Sequence, residues 1–319
     1  MKLQFLVPID YRTAKMLNIK GAKTDMLKNQ ARAFLDALAK VLVVDVNDLE
    51  VKVACELEFY ILDKDGEKLP NKFSCQDSEI KQIIQQLKIF DKQNKNTTQA
   101  LRLESFEEED GCNQFEVQFF PTNNPTELAE NVCNFKNEIE KICSANNKSV
   151  DFRAKPFNNE PTSSMHFHIS VYYQGENLFS KDNPYDDYEY YYLPLYWCIA
   201  GLLALAPKFM KFFSPTANCR ERYCMPKSEQ KFIHYPTHLC WGFNNRTCAI
   251  RIPRKPSEDP KNCRIEHRLS SSMADPYLSL FAIFAGMQYG VAQKMECPEP
   301  VYGRAFEDDE SGKLIYDCF

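Results

Sequence analysis

The run "ACELEFYIL" (54–62) alternates without a break: Cys55, Leu57, Phe59 and Ile61 fall on one face of an extended strand, Glu56 and Glu58 on the other. Such a strand must bury one face against a packed layer and turn its carboxylates the other way. The pattern returns in "EEEDGCNQFEVQFF", where Glu116 and Gln118 oppose Phe115, Val117 and Phe119, and in "RIEHRL", where Arg264, Glu266 and Arg268 share a face. In "SSMHFHIS" two of the chain's five histidines, His166 and His168, leave the strand on the same side. Several of these runs follow one another without an intervening helix, which predicts an α+β fold with an antiparallel sheet rather than a doubly wound one.

The helices predicted to cover the apolar face are also legible. Residues 24–44 have helical periodicity after a Thr/Asp start, and 124–143 open with Asn124 as N-cap, Pro125 at the first helical position and Glu127 in the first turn. Residues 193–213 and 275–294 are apolar enough for buried helices, while "SVDFRA", "MHFHISVYY" and "TCAIRIP" read as further strands. With 319 residues and no repeat or low-complexity linker, the chain can bury a full core. A formal charge of −5 without a Lys/Arg block leaves no electrostatic footprint for nucleic acid or an anionic membrane. The apolar stretch 193–207 is expected to fall short of a bilayer span, and the start "MKLQFLVPIDYR" is too short an apolar run for a signal peptide. Thirteen cysteines without a CxxC pair read as reduced thiols, hence a cytoplasmic protein.

If the acidic faces converge, carboxylates ~4 Å apart repel by roughly 4 kcal/mol per pair at an effective dielectric near 20. A divalent cation relieves that repulsion, and oxygen donors with a single imidazole suit Mg²⁺ or Mn²⁺ better than zinc or copper. The alternative is a set of solvated strand faces with ordinary surface ion pairs.

Six motifs in order, "ELEFYILD", "EDGCNQFE", "KPFNNEPTSSMHFHIS", "SPTANCRERY", "NNRTCAIRIP" and "RIEHRLSSSMADPYL", resemble the catalytic domain of the glutamine synthetase family from about residue 25 to 295. The resemblance implies a curved antiparallel sheet carrying the metal site, with helices on its outer face. It implies one catalytic domain over 1–319, with 1–25 a short N-terminal remnant. Glu58, Glu109 and Glu116 are similar to the ligands of one metal, with Glu108 competing for the place of Glu109. Glu56, His166 and Glu266 are similar to the ligands of a second. His168, Ser170, Arg251 and Arg264 look like ATP contacts, and Arg222, Arg246 and Arg268 like the guanidinium set for substrate carboxylates and the transferred phosphoryl group. The implied cofactors are ATP and two or more Mg²⁺ or Mn²⁺ ions. The implied partners are glutamate or a related acid, an amine, and further copies of the chain.

Three departures shape the expectation. Only 55 residues precede Glu56, where the family usually places a β-grasp domain that builds its dodecameric rings. The usual Asn-Gly pair before the histidine strand is Pro161-Thr162, which removes an N–H and glycine's freedom. The flap glutamate is replaced: counting back from "NNRTCAIRIP" puts His234 in its place, with Glu229 the nearest upstream acid. The expected activity is therefore ATP-dependent carboxylate–amine ligation through a γ-glutamyl phosphate, with an amine other than ammonia. Two alternatives are a degenerate homologue that binds nucleotide or metal in a regulatory role, and a stand-alone phosphotransferase.

Overall fold

The computed structural model describes residues 20–69, 72–180, 193–223, 235–254, 259–307 and 312–319. Its sheet is built on β1 (Leu49–Asp63), which pairs with β3 (Gln114–Thr122) on one side and β5 (Met165–Tyr173) on the other, both antiparallel. β2 (Leu103–Glu108) extends the sheet beyond β3 as an edge strand. On the other side follow β9 (Ile265–His267), β8 (Cys248–Ile252), β7 (His238–Phe243) and β10 (Lys313–Leu314). The short β4 (Lys148–Asp151) and β6 (Glu176–Asn177) pair with β1 and β5.

The antiparallel expectation holds except at β7 and β8, which run parallel. The turn at 244–247 between them does not make a simple hairpin. It lets Asn244 N–H donate to the Ile252 carbonyl at the far end of β8.

Four longer helices bury the apolar face: α1 (Lys20–Leu42), α3 (Pro125–Ala145), α4 (Leu193–Phe213) and α6 (Pro276–Gln293). α2 (Ser78–Asn94) packs on α3, and α5 (Ala217–Glu221) is a single turn capped by the Thr216 hydroxyl. The Asn124 side chain accepts from the N–H groups of Thr126 and Glu127, as the sequence predicts for α3. Asp275 does the same at α6 for Tyr277 and Leu278. α1 begins four residues before its predicted start.

Within the core Phe59 meets Phe106, Phe115, Phe135 and Phe152, with ring centroids 5.5 to 6.5 Å apart and the rings tilted or edge-on. Gly201 of α4 faces Gly286 and Gly290 of α6, and a methyl group at Gly290 would overlap the Trp197 carbonyl. α4 is long and apolar enough to cross a membrane, contrary to the reading of 193–207. Its most apolar window is instead 61% buried within the protein. All twelve described cysteines are free.

Candidate active site

The strand alternation puts the chemistry on the face away from the helices. Odd residues of β1 from Leu49 to Ile61 are buried, while Glu56 and Glu58 point the other way. Register then sets the neighbours: Glu56 lies opposite His166, Glu58 opposite Glu116, and His168 opposite Glu266. Directly opposed residues share a face, so side chains from four strands converge.

They converge as two triads. Ligand atoms of Glu56, His166 and Glu266 lie within 4.8 Å of one another, and so do those of Glu58, Glu109 and Glu116. His166 Nδ1 is 3.6 Å from both Glu56 Oε2 and Glu266 Oε1. Glu109 comes from the turn after β2, where its N–H donates to the Gln114 carbonyl. Glu108, its sequence competitor, is turned away and accepts from Cys75 N–H at 2.8 Å.

The triads differ in electrostatics. Burial and the neighbouring Glu56 and Glu58 charges push Glu116 up to about 9; burial and Glu109 push Glu58 up to about 7. Burial also raises Glu109, partly offset by the Asp110 N–H and the Arg246 charge. In the other triad, cations outweigh burial. Arg268 first, and Arg251 with it, hold Glu266 down at about 2, while the neighbouring His168 and hydrogen bonds from both imidazoles hold Glu56 well below the usual carboxylate range. Burial and Arg268 push His166 down to about 4, so its ring is neutral, and its buried Nε2 has no hydrogen-bond partner.

Both triads fit divalent cations. Three carboxylates that must hold protons to coexist are the donor set a hard cation satisfies. A neutral imidazole between two ionised carboxylates is a mixed set of the same kind.

A cavity of about 400 Å³ adjoins the Glu56 side and is lined by His168, Ser170 and Arg264, with Lys52 and Tyr172 at one wall. Arg264 Nε donates to His168 Nδ1 at 3.0 Å, and His168 Nε2 lies 3.0 Å from Glu56 Oε1. Lys52 sits over the Tyr172 ring at 4.3 Å. Arg251 does not line this cavity; it donates to Glu266 Oε2 and Asn244 Oδ1, both at 2.7 Å. Arg268 is ion-paired with Glu266. Arg222, 1% exposed, gives Nη1 and Nη2 to the carbonyls of Ser270 and Arg268. Arg246 is exposed in the β7–β8 turn. His234 and Glu229 lie outside the described residues.

The sequence reading missed the groups that hold Glu58. Ser164 donates to it through N–H (2.9 Å) and hydroxyl (2.7 Å), and the Gln114 amide reaches it at 3.5 Å. Gln114 Nε2 also donates to the Thr162 carbonyl, and the Tyr60 hydroxyl to the Pro161 carbonyl. The Pro161-Thr162 segment is therefore fixed through its carbonyls. Parity could have found Ser164, which shares a face with His166 and His168.

Residues 29–316 match the family model described as glutamine synthetase, catalytic domain. The γ-glutamylputrescine synthetase PuuA of Escherichia coli (strain K12) is 32% identical over 201 residues, covering 61% of this chain and 39% of its own. A glutamine synthetase of Methanocaldococcus jannaschii is 31% identical over 201 residues, covering 63% of this chain and 41% of its own. The chain spans about two fifths of the length of these relatives. Among solved structures, a GmaS/ADP complex has the same fold, with a TM-score of 0.70 at 21% identity over 90% of this chain and 66% of that one. Six motifs in order, the register that gathers them and a match across most of the chain agree: this chain belongs to the glutamine synthetase family.

Proposed function

We propose that the chain is the catalytic domain of a cytoplasmic ATP-dependent carboxylate–amine ligase that takes glutamate or a related acid and an organic amine. One observation carries this reading: two cation-ready triads stand side by side, the histidine-containing one opening on the cavity lined by His168, Ser170 and Arg264.

ATP would lie in that cavity, with Arg264 and Ser170 donating to phosphate oxygens and His168 steadied by Arg264. The γ-carboxylate of the acid attacks the terminal phosphorus, the bond to the bridging oxygen breaks, and ADP leaves. The amine then attacks the acyl carbon, phosphate departs, and the amine's extra proton passes to a base. Divalent cations at the triads would neutralise charge on the phosphates and the acid. Arg268, held by Glu266, and Arg246, beside Glu109, are the cations we assign to the phosphoryl group and the acid's carboxylates. His234 or Glu229 is the base we assign. Ser164 orients Glu58, which fixes the position of the cation that faces the acid.

The choice of amine is supported by the relative named γ-glutamylputrescine synthetase and by the replaced flap glutamate. A neighbour solved with ADP supports the nucleotide. The second reading, a nucleotide- or metal-binding homologue without turnover, is favoured by Arg222, whose terminal nitrogens are committed to backbone carbonyls.

ADP release measured with glutamate and putrescine, hydroxylamine or ammonium separates these readings. The ligase predicts release that needs both glutamate and an amine, faster with an organic amine. Equal rates with ammonium would remove the amine assignment, and no amine-dependent release would favour the second reading.

A further inference from the structure

A second cavity, of about 760 Å³, opens between α2 and the edge strand β2. It shares only Glu104 with the cavity beside the triads. Its floor is apolar, formed by Ile84, Leu87, Leu103 and Phe106, with the half-exposed Phe120 at the mouth. Its rim is basic.

The basicity has a pattern. Lys81, Lys88, Lys92 and Lys95 all line the cavity, at intervals of seven, four and three residues. At 100° per residue, that spacing keeps the four side chains within about 60° of arc, a single stripe along α2 and its C-terminal turn. Arg102 stands on the opposite wall. The lining thus carries five basic side chains, of which Arg102 also faces Glu127 at 3.7 Å, against the acids Asp91 and Glu104, on a chain of net charge −5. Asp91 is already engaged, since its Oδ1 accepts from the N–H groups of Leu101 and Arg102. Among the described residues, Lys88, Lys92 and Lys95 have no carboxylate within ion-pair distance.

Two polar atoms on the β2 side also lack partners. The buried Ser105 hydroxyl and the buried Arg102 Nε make no hydrogen bond. Buried donors are nearly always satisfied, so two orphans in one basic cavity point to a ligand that accepts. An apolar floor, a stripe of like charges and two orphan donors ask for one molecule with a hydrophobic body and a compact, multiply charged head.

We propose that the α2–β2 cavity binds a phosphate monoester with an apolar body, separately from the triads and the cavity beside them. A dianionic phosphate matches the excess of positive charge better than a carboxylate does. Lysine ammonium groups serve phosphate as point charges, while Arg102 Nε and the Ser105 hydroxyl supply directed donors.

1-Naphthyl phosphate is a suitable probe, titrated by calorimetry with the full chain, first alone and then with ADP and Mg²⁺ present. The expected result is one site whose affinity ADP does not change, with 1-naphthoate at least threefold weaker and inorganic phosphate or 1-naphthol at least tenfold weaker. The double variant Lys88→Glu/Lys92→Glu, both exposed, should weaken the probe at least tenfold. Ser105→Ala should weaken it about threefold or more. Competition by ADP, or affinity unchanged in the lysine double variant, would overturn the proposal, as would the absence of binding at millimolar probe. ADP affinity of the double variant is the control: its loss would count against the independence of the two cavities, leaving the ligase reading untouched.

Discussion

Replacing Glu116 by glutamine should stabilise the metal-free protein, the reverse of what losing a buried charged side chain usually does. Ligand atoms of Glu58, Glu109 and Glu116 lie within 4.8 Å. At an effective dielectric near 20, each fully ionised pair at that separation costs about 3.5 kcal/mol. The protein avoids much of this by keeping protons on Glu116, held at about 9, and Glu58, at about 7. A carboxyl whose folded pKa is raised contributes stability that is complete below its unfolded value and drains away as pH climbs through the folded one. For Glu116 that window runs from the ordinary glutamate value of 4.5 to about 9. The amide keeps the acceptor for Gln118 Nε2, now at 3.1 Å, while removing the charge. Glu116→Gln in EDTA should therefore gain about 2 to 4 kcal/mol at pH 9, a Tm rise of roughly 3 to 6 °C for a chain this long, and under about 1 kcal/mol near pH 5. In wild type, Mn²⁺ at a hundred times its Kd should add about 2.7 kcal/mol, and the variant should lose that response. Differential scanning calorimetry at both pH values, with EDTA and with Mn²⁺, reads all of it. A variant less stable than wild type at pH 9 in EDTA, or one that Mn²⁺ stabilises as much as wild type, would refute the reasoning.

Glu266 should behave oppositely: it is fully buried and paired with Arg251 and Arg268, so Glu266→Gln strands two cations and should cost about 3 to 5 kcal/mol in urea unfolding. Arg264→Ala removes a donor from the smaller cavity and should weaken ADP about 10- to 100-fold by calorimetry, while glutamate affinity changes less. His234→Ala should slow ligation with an organic amine by about 100-fold or more at constant fold by circular dichroism, in the range of a lost general base. Gly290→Ala should lower Tm by at least about 5 °C, because the methyl group meets the Trp197 backbone, which has no room to yield.

Much of the active face was legible because strand parity is a local property. Glu56 and Glu58 declare their shared face within one strand, and so do His166 and His168, with no knowledge of what lies beside them. Helix caps are equally local, which is why Asn124 caps its helix as the sequence predicts. Pairings over a distance were harder to read. That β7 and β8 run parallel depends on the path of the chain rather than on either segment's residues. β2, "LESFEE", is half acid and gains its place only through its ladder with β3, so it stood outside the strands read from the sequence. α2 carries a helical apolar stripe at Ile80, Ile83 and Leu87 that the reading passed over amid its lysines. That Glu109 rather than Glu108 comes to lie beside Glu58 and Glu116 follows from the end of β2, where the chain leaves the ladder.

The pleat of β5 has a consequence for how this chain can vary over time. Inserting or deleting one residue between Ser164 and His166 would turn both imidazoles toward the helices and bring Phe167 and Ile169 out among the carboxylates. Such a change trades every donor on the strand for its apolar neighbour at once, with no half-way state for selection to keep. Viable descendants of this sequence should therefore carry substitutions within β1, β3 and β5 and confine changes of length to the segments between them. The spacing of Glu56 from Glu58 and of His166 from His168 should outlast the residues on either side.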